Sequence, residues 1–170
     1  MSTLQLVFTY TIPVIAGVLL LVTALHDVAV RTIPNAASAV IVLIGIAMRI
    51  QDGWILVSLL IAIAVFAAAI LCWQRGWMGG GDVKFLAATA LIVPPPQVGN
   101  LLLLTALSGG VLGVFYLALS RIVRVAPTRQ PRGALRRILR AERWRICRGA
   151  PLPYGLAIAF GGITLLLMGS

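Results

Sequence analysis

Acidic residues are scarce in this 170-residue chain: Asp27, Asp52, Asp82 and Glu142 are the only four. His26 is the single histidine, and Cys72 and Cys147 stand far apart, neither in a C-x-x-C pair. Zinc and its neighbours need clustered thiolates or imidazoles, so no metal is expected. The same shortage removes the usual nucleophilic constellations. No serine is paired with His26, and neither cysteine has a histidine near it in sequence. Charge of either sign is thin, at 11% of residues, whereas 61% are hydrophobic and the mean hydropathy is +1.05. Soluble domains are about 45–50% apolar and about 25% charged. Disorder, a collagen or disulfide scaffold and a soluble globular domain are thereby excluded. What remains is an integral membrane protein forming one domain, residues 1–170. Its amino terminus lacks the basic n-region of a signal peptide, and the apolar run that follows is too long for an h-region. That run is expected to be a retained span.

A membrane helix takes about 20 mostly apolar residues at about 1.5 Å of rise each. Five stretches fit or approach that: Leu4 to Leu25, Ala36 to Met48, Trp54 to Trp73, Leu101 to Leu119 and Leu152 to Met168. A sixth, Phe85 to Val98, is interrupted by Pro94, Pro95 and Pro96. The expected fold is all-α, a polytopic bundle of about six transmembrane helices.

Basic charge orients it. Ten of the 14 Lys and Arg fall between Arg121 and Arg148, in a linker of about 121–150 ahead of the last span. Short basic loops stay in the cytoplasm, which places this linker there. With six spans, Arg31, Arg75 and Lys84 are cytoplasmic too, and both termini lie outside; only Arg49 breaks the rule. Within the linker, Leu135, Ile138, Leu139 and Ile146 share one helical face and arginines crowd the other. This suits an amphipathic helix on the anionic inner leaflet; a solvated loop that only fixes topology is the other reading. The net charge of +10 is therefore a topology device, and nucleic acid is not an expected partner.

Acidic groups beside membrane spans are costly, and their default reading is functional. Asp27 closes the first span and Asp82 opens the fourth, so antiparallel neighbours would bring both carboxyls to one depth at the cytoplasmic side. Two carboxyls sharing a proton separate in acidity. One can take a proton from water while the other donates a hydrogen bond to a carbonyl, which is amide hydrolysis without metal or covalent intermediate. Each aspartate also has a plain structural reading. Asp82 suits a helix N-cap, and Asp27 an i, i+4 pair with Arg31. Gly79, Gly80 and Gly81 would allow a positive-φ turn and close backbone approach beside Asp82.

Gly79-Gly80-Gly81-Asp82-Val83-Lys84 resembles the G-x-G-D motif of membrane aspartic proteases, in the form carried by type IV prepilin peptidases. Asp27 through Ile33-Pro34-Asn35 resembles that family's first-aspartate segment, and Pro153-Tyr154-Gly155 its closing Pro-Tyr-Gly helix. The resemblance implies that Asp27 and Asp82 are the catalytic dyad. It implies a substrate too, a pilin-like precursor whose short basic leader is cut on the cytoplasmic face of the bacterial inner membrane. Lys84, Asn35 and Tyr154 would support the dyad or the substrate backbone. Larger members carry paired C-x-x-C motifs and also methylate the new amino terminus. This chain lacks those cysteines, so it is similar to the short peptidase-only members of Flp/Tad-type pilus systems, and no cofactor is expected.

Helix dipoles add one expectation: Asp82 at a helix start is the resting base, and Asp27 at a helix end the proton carrier. A non-enzymatic assembly subunit of a pilus or secretion system would leave the glycine turn unexplained. A proton-relay transporter would place an ionisable residue near mid-membrane, and the spans carry none. The oligomeric state and the particular precursor are not legible.

Overall fold

The computed structural model describes residues 11–122 and 152–169. They form six α-helices and no strand. These are α1 (Ile12–Val30), α2 (Asn35–Gln51), α3 (Ile55–Gln74), α4 (Gly80–Ile92), α5 (Val98–Ile122) and α6 (Tyr154–Gly169), with a 3-10 turn at Pro95–Gln97 ahead of α5. α1, α3 and the stretch Pro95–Arg121 are long and apolar enough to cross a membrane; α2 and α6 are apolar but shorter. The described residues cluster in two units, divided between Ser108 and Gly109 and between Leu152 and Pro153. The first holds α1 to α4, the start of α5, and α6. The second holds the remainder of α5, where Val111, Val114, Phe115 and Leu117 are exposed. The amphipathic linker helix expected around Leu135 to Arg148 lies outside the described residues, as does the start of the first span.

Proline and a left-handed residue set the first boundary. α1 runs on past the expected stop at Leu25 to Val30, where Arg31 turns left-handed (φ 61°, ψ 31°) and its N–H donates to the Asp27 carbonyl at 2.7 Å. His26 Nδ1–H donates to the Thr32 carbonyl (2.8 Å), tying down the connection. Pro34, extended at φ −61° and ψ 135°, then opens α2. Asp27 consequently sits inside the last turn of a helix rather than beyond its end.

α4 is the centre of the first unit. It packs against α2, α3 and α6, while α1 packs against α6 and α2. Nine of its residues are buried, among them Phe85, Thr89 and Ile92. A helix with so little polar surface belongs inside protein rather than at an interface. At 13 residues it is about 20 Å long, well short of the expected Phe85 to Val98 span at its far end. Val93 and Pro94 are extended and end it. Close approach to α2 requires Gly45, where a Cβ would stand 2.8 Å from Leu91 Cβ and 3.1 Å from the Leu91 carbonyl carbon. Outside this centre the usual burial pattern is inverted. Leu56 and Leu60 on α3 are 74% and 69% exposed, which suits a lipid solvent.

Arg49, the residue that breaks the charge rule, is explained here. It is 3% exposed, and its Nη2 donates to the Ile92 carbonyl (3.3 Å), the last of α4, while Nη1 pairs with Asp52 at 3.0 Å. Carbonyls at a helix end have no partner within the helix and attract a cation. Arg49 is thus an internal cap for α4. Arg49→Ala leaves the Ile92 carbonyl unmet and should lower stability by about 1–3 kcal/mol. Asp52→Asn, at an exposed carboxylate, should cost less than about 1 kcal/mol. Thermal unfolding in detergent checks both, and an equal loss from the two would contradict the capping role.

Candidate active site

The expected pair is brought together from α1 and α4. Asp27 is 6% and Asp82 8% exposed, and the Asp27 charge acts on Asp82. Asp82 is not an N-cap. Gly79 holds that position, and Asp82 stands three residues on, its Oδ2 accepting the Gly79 N–H at 3.3 Å. The three glycines do not form a positive-φ turn either. Gly79 is extended at φ −72° and ψ 147°, Gly80 and Gly81 begin α4, and the positive-φ glycines among the described residues are Gly53 and Gly76. What the run supplies is room. A Cβ on Gly79 would lie 2.9 Å from Asp82 Oδ2, and one on Gly81 3.2 Å from Ile33 Cβ in the α1–α2 connection. The turn itself is made by Gly76, at φ 74°.

Asp27 is met from the other end of the chain. The N–H of Gly155, in the first turn of α6, donates to Asp27 Oδ2 at 3.3 Å across 128 residues of sequence. A Cβ at Gly155 would stand 2.8 Å from that same oxygen, so only glycine lets the amide come this close. Pro153 is fully buried and Tyr154 half-buried beside it. The Pro-Tyr-Gly segment therefore aims a helix N-terminus, with its positive end, at Asp27. This donor was not legible in the spacing of the residues.

The dipole argument for Asp82 does not hold. Asp82 precedes the apolar stretch of α4 that begins at Phe85. Burial first, then the Asp27 charge, push its carboxyl from an ordinary 3.8 up to about 6, against the Gly79 N–H and the Arg31 charge. Both carboxyls face a helix start, so the dipole of α4 gives Asp82 no advantage over Asp27. Arg31, read from sequence as a partner for Asp27, thus also acts on Asp82.

The remaining motif residues make other contacts. Pro34 is exposed at the start of α2. Gly80 packs near the Trp73 indole, with 3.5 Å between an added Cβ and Nε1. Lys84 and Asn35 bond one another, Nζ to Oδ1 at 3.0 Å, on a face of α4 about 200° around from Asp82. Among the described residues no group of three or more His, Cys, Asp or Glu is placed to hold a metal.

Residues 14–114 match the family model of the type IV leader peptidase family, a stretch that includes both aspartates and the glycine run but not Gly155. No curated protein and no solved structure matches the chain.

Gly155→Ala should destabilise the protein by about 1–3 kcal/mol through the forced shift at Asp27. Gly17→Ala, which meets nothing within 4 Å, should be neutral or gain about 0.5–1 kcal/mol from helix propensity. Unfolding midpoints of the two variants decide. The weakened acidity of Asp82 also has a pH signature. The folded protein keeps that proton up to about 6 and the unfolded chain only to 3.8. Asp82 therefore contributes stability that is present below pH 3.8 and lost as pH rises through about 6. Asp82→Asn should flatten that decline, and an unchanged slope would contradict the burial argument.

Proposed function

This chain belongs to the type IV leader peptidase family, and we propose that it is an aspartic endopeptidase that removes the basic leader of a pilin-like precursor at the cytoplasmic face of the membrane. Family membership makes it a protease. The observation that carries the finer reading is the buried pair Asp27 and Asp82, each with an amide donor of its own. In this reading Asp27, its anion supported by Gly155, takes a proton from water, and the hydroxide attacks the scissile carbonyl. Asp82, the member that holds its proton, donates to the carbonyl oxygen. The tetrahedral intermediate then collapses as Asp27 passes its proton to the departing amine and Asp82 takes back the proton it gave as the carbonyl re-forms. Atoms and protons balance with one water consumed.

The arginine-rich segment supports the cytoplasmic placement, since short basic loops stay inside. A six-span topology with both termini outside, α4 crossing within its sheath of neighbours, keeps that segment and both aspartates on one side. A precursor leader rich in basic residues would be held on the same side by the same rule. The bonded pair Asn35 and Lys84 lies on the face of α4 turned away from Asp82 and has no part in the proposed chemistry.

Co-expression of a candidate precursor with the wild type should give a leader-sized drop in mass, abolished by Asp27→Ala or Asp82→Ala at equal expression. Cleavage surviving both substitutions would reject the dyad. Asparagine can still donate a hydrogen bond but cannot act as a base. Asp82→Asn should accordingly retain more activity than Asp27→Asn, with the latter reduced about 10²–10⁴-fold. The wild-type rate should fall as pH rises through about 6, where Asp82 loses the proton it donates; a rate still rising there would reverse the assignment.

A further inference from the structure

On the face of α4 turned away from Asp82, a cavity of about 440 Å³ opens between α2, α3 and α4. Its walls include Asn35, Ser38 and Val42 from α2, Phe66 from α3, and Lys84 and Leu91 from α4. The polar groups gather at one end. Asn35 is the first residue of α2, and Lys84 lies in the second turn of α4. Ser38 is one turn deeper, and beyond it the lining is apolar. No acidic side chain lines the cavity, and all three polar side chains carry hydrogen-bond donors. Ser38 supplies an independent sign of a ligand: it is only 7% exposed, yet its Oγ has no partner among the described residues. A buried hydroxyl without a partner is costly.

We propose that this groove binds one acyl chain of an anionic phospholipid, with the headgroup phosphate on Lys84 and Asn35 and the glycerol ester oxygen on the Ser38 hydroxyl. The change from a cationic mouth to an apolar depth, along helices built for lipid, matches an amphiphile rather than a free anion. The inference does not depend on the proteolytic reading.

Native mass spectrometry of the full-length protein, released from detergent with palmitoyl-oleoyl phosphatidylglycerol or the matching phosphatidylcholine, tests it. The wild type should retain one phosphatidylglycerol about tenfold in preference to phosphatidylcholine. Lys84→Gln, at an exposed side chain, should erase that preference. Ser38→Ala should weaken retention of both lipids several-fold. Ala39→Phe, on the exposed wall of the groove, should exclude both while unfolding in lipid-free detergent at the wild-type temperature. Four results would overturn the proposal. One is equal retention of the two lipids by the wild type. Another is undiminished phosphatidylglycerol on both Lys84→Gln and Ala39→Phe, which would place the lipid on the arginine-rich segment. A third is full competition by inorganic phosphate alone, and the fourth is displacement by an apolar helical peptide.

Discussion

A carboxylate buried among helices must find donors inside the protein, because burial strips away the water that would otherwise supply them. Much of the first unit can be read from that constraint. Asp82 is met by the amide of Gly79 and Asp27 by the amide of Gly155. In both cases the donor is a glycine at or next to a helix start, and the carboxylate oxygen occupies the space a Cβ would need. The Gly-Gly-Gly-Asp run and the Pro-Tyr-Gly segment, separated by about 70 residues of sequence, are therefore one device used twice.

The same logic explains how a helix as short as α4 is held. Its first turn is fastened through Asp82 and Gly79, and its last carbonyl by the buried Arg49. Between those ends it is wrapped by α2, α3 and α6, so its backbone and apolar side chains do not depend on matching the bilayer by length. Gly45 lets α2 lie against the α4 backbone at Leu91. Any bulk there would push the two helices apart and carry Arg49 away from the carbonyl it caps.

Long apolar runs made the helices legible, because span length and hydropathy are local properties. α2, α3 and α6 fall within a few residues of their expected bounds. The misses have one cause, which is tertiary context overriding local chemistry. Three consecutive glycines read as a positive-φ turn, yet Gly80 and Gly81 are helical, packed near Trp73 and Ile33. Arg49 read as a topological exception until a carbonyl 43 residues away accounted for it. The two aspartates were found because acid beside a span is rare enough to need a reason. The raised Asp82 carboxyl was not legible, since it turns on burial and on the neighbouring Asp27 charge.

A raised carboxyl at Asp82 is what, in the proposed mechanism, makes two identical side chains useful. A symmetric pair would share a proton without a preferred donor, whereas hydrolysis needs one carboxyl to give a proton while the other takes one. Here the difference comes from placement. Asp82, buried at the start of a helix enclosed on several sides, meets one local amide. Asp27, in the last turn of α1, is approached by the positive end of α6. Because α6 lies so far along the chain, the amide that meets Asp27 is in place only when the carboxyl-terminal helix is packed. In the proposed mechanism, chemistry thereby waits on completion of the fold: the carboxyls come from the first 82 residues, and the amide that meets Asp27 from residue 155.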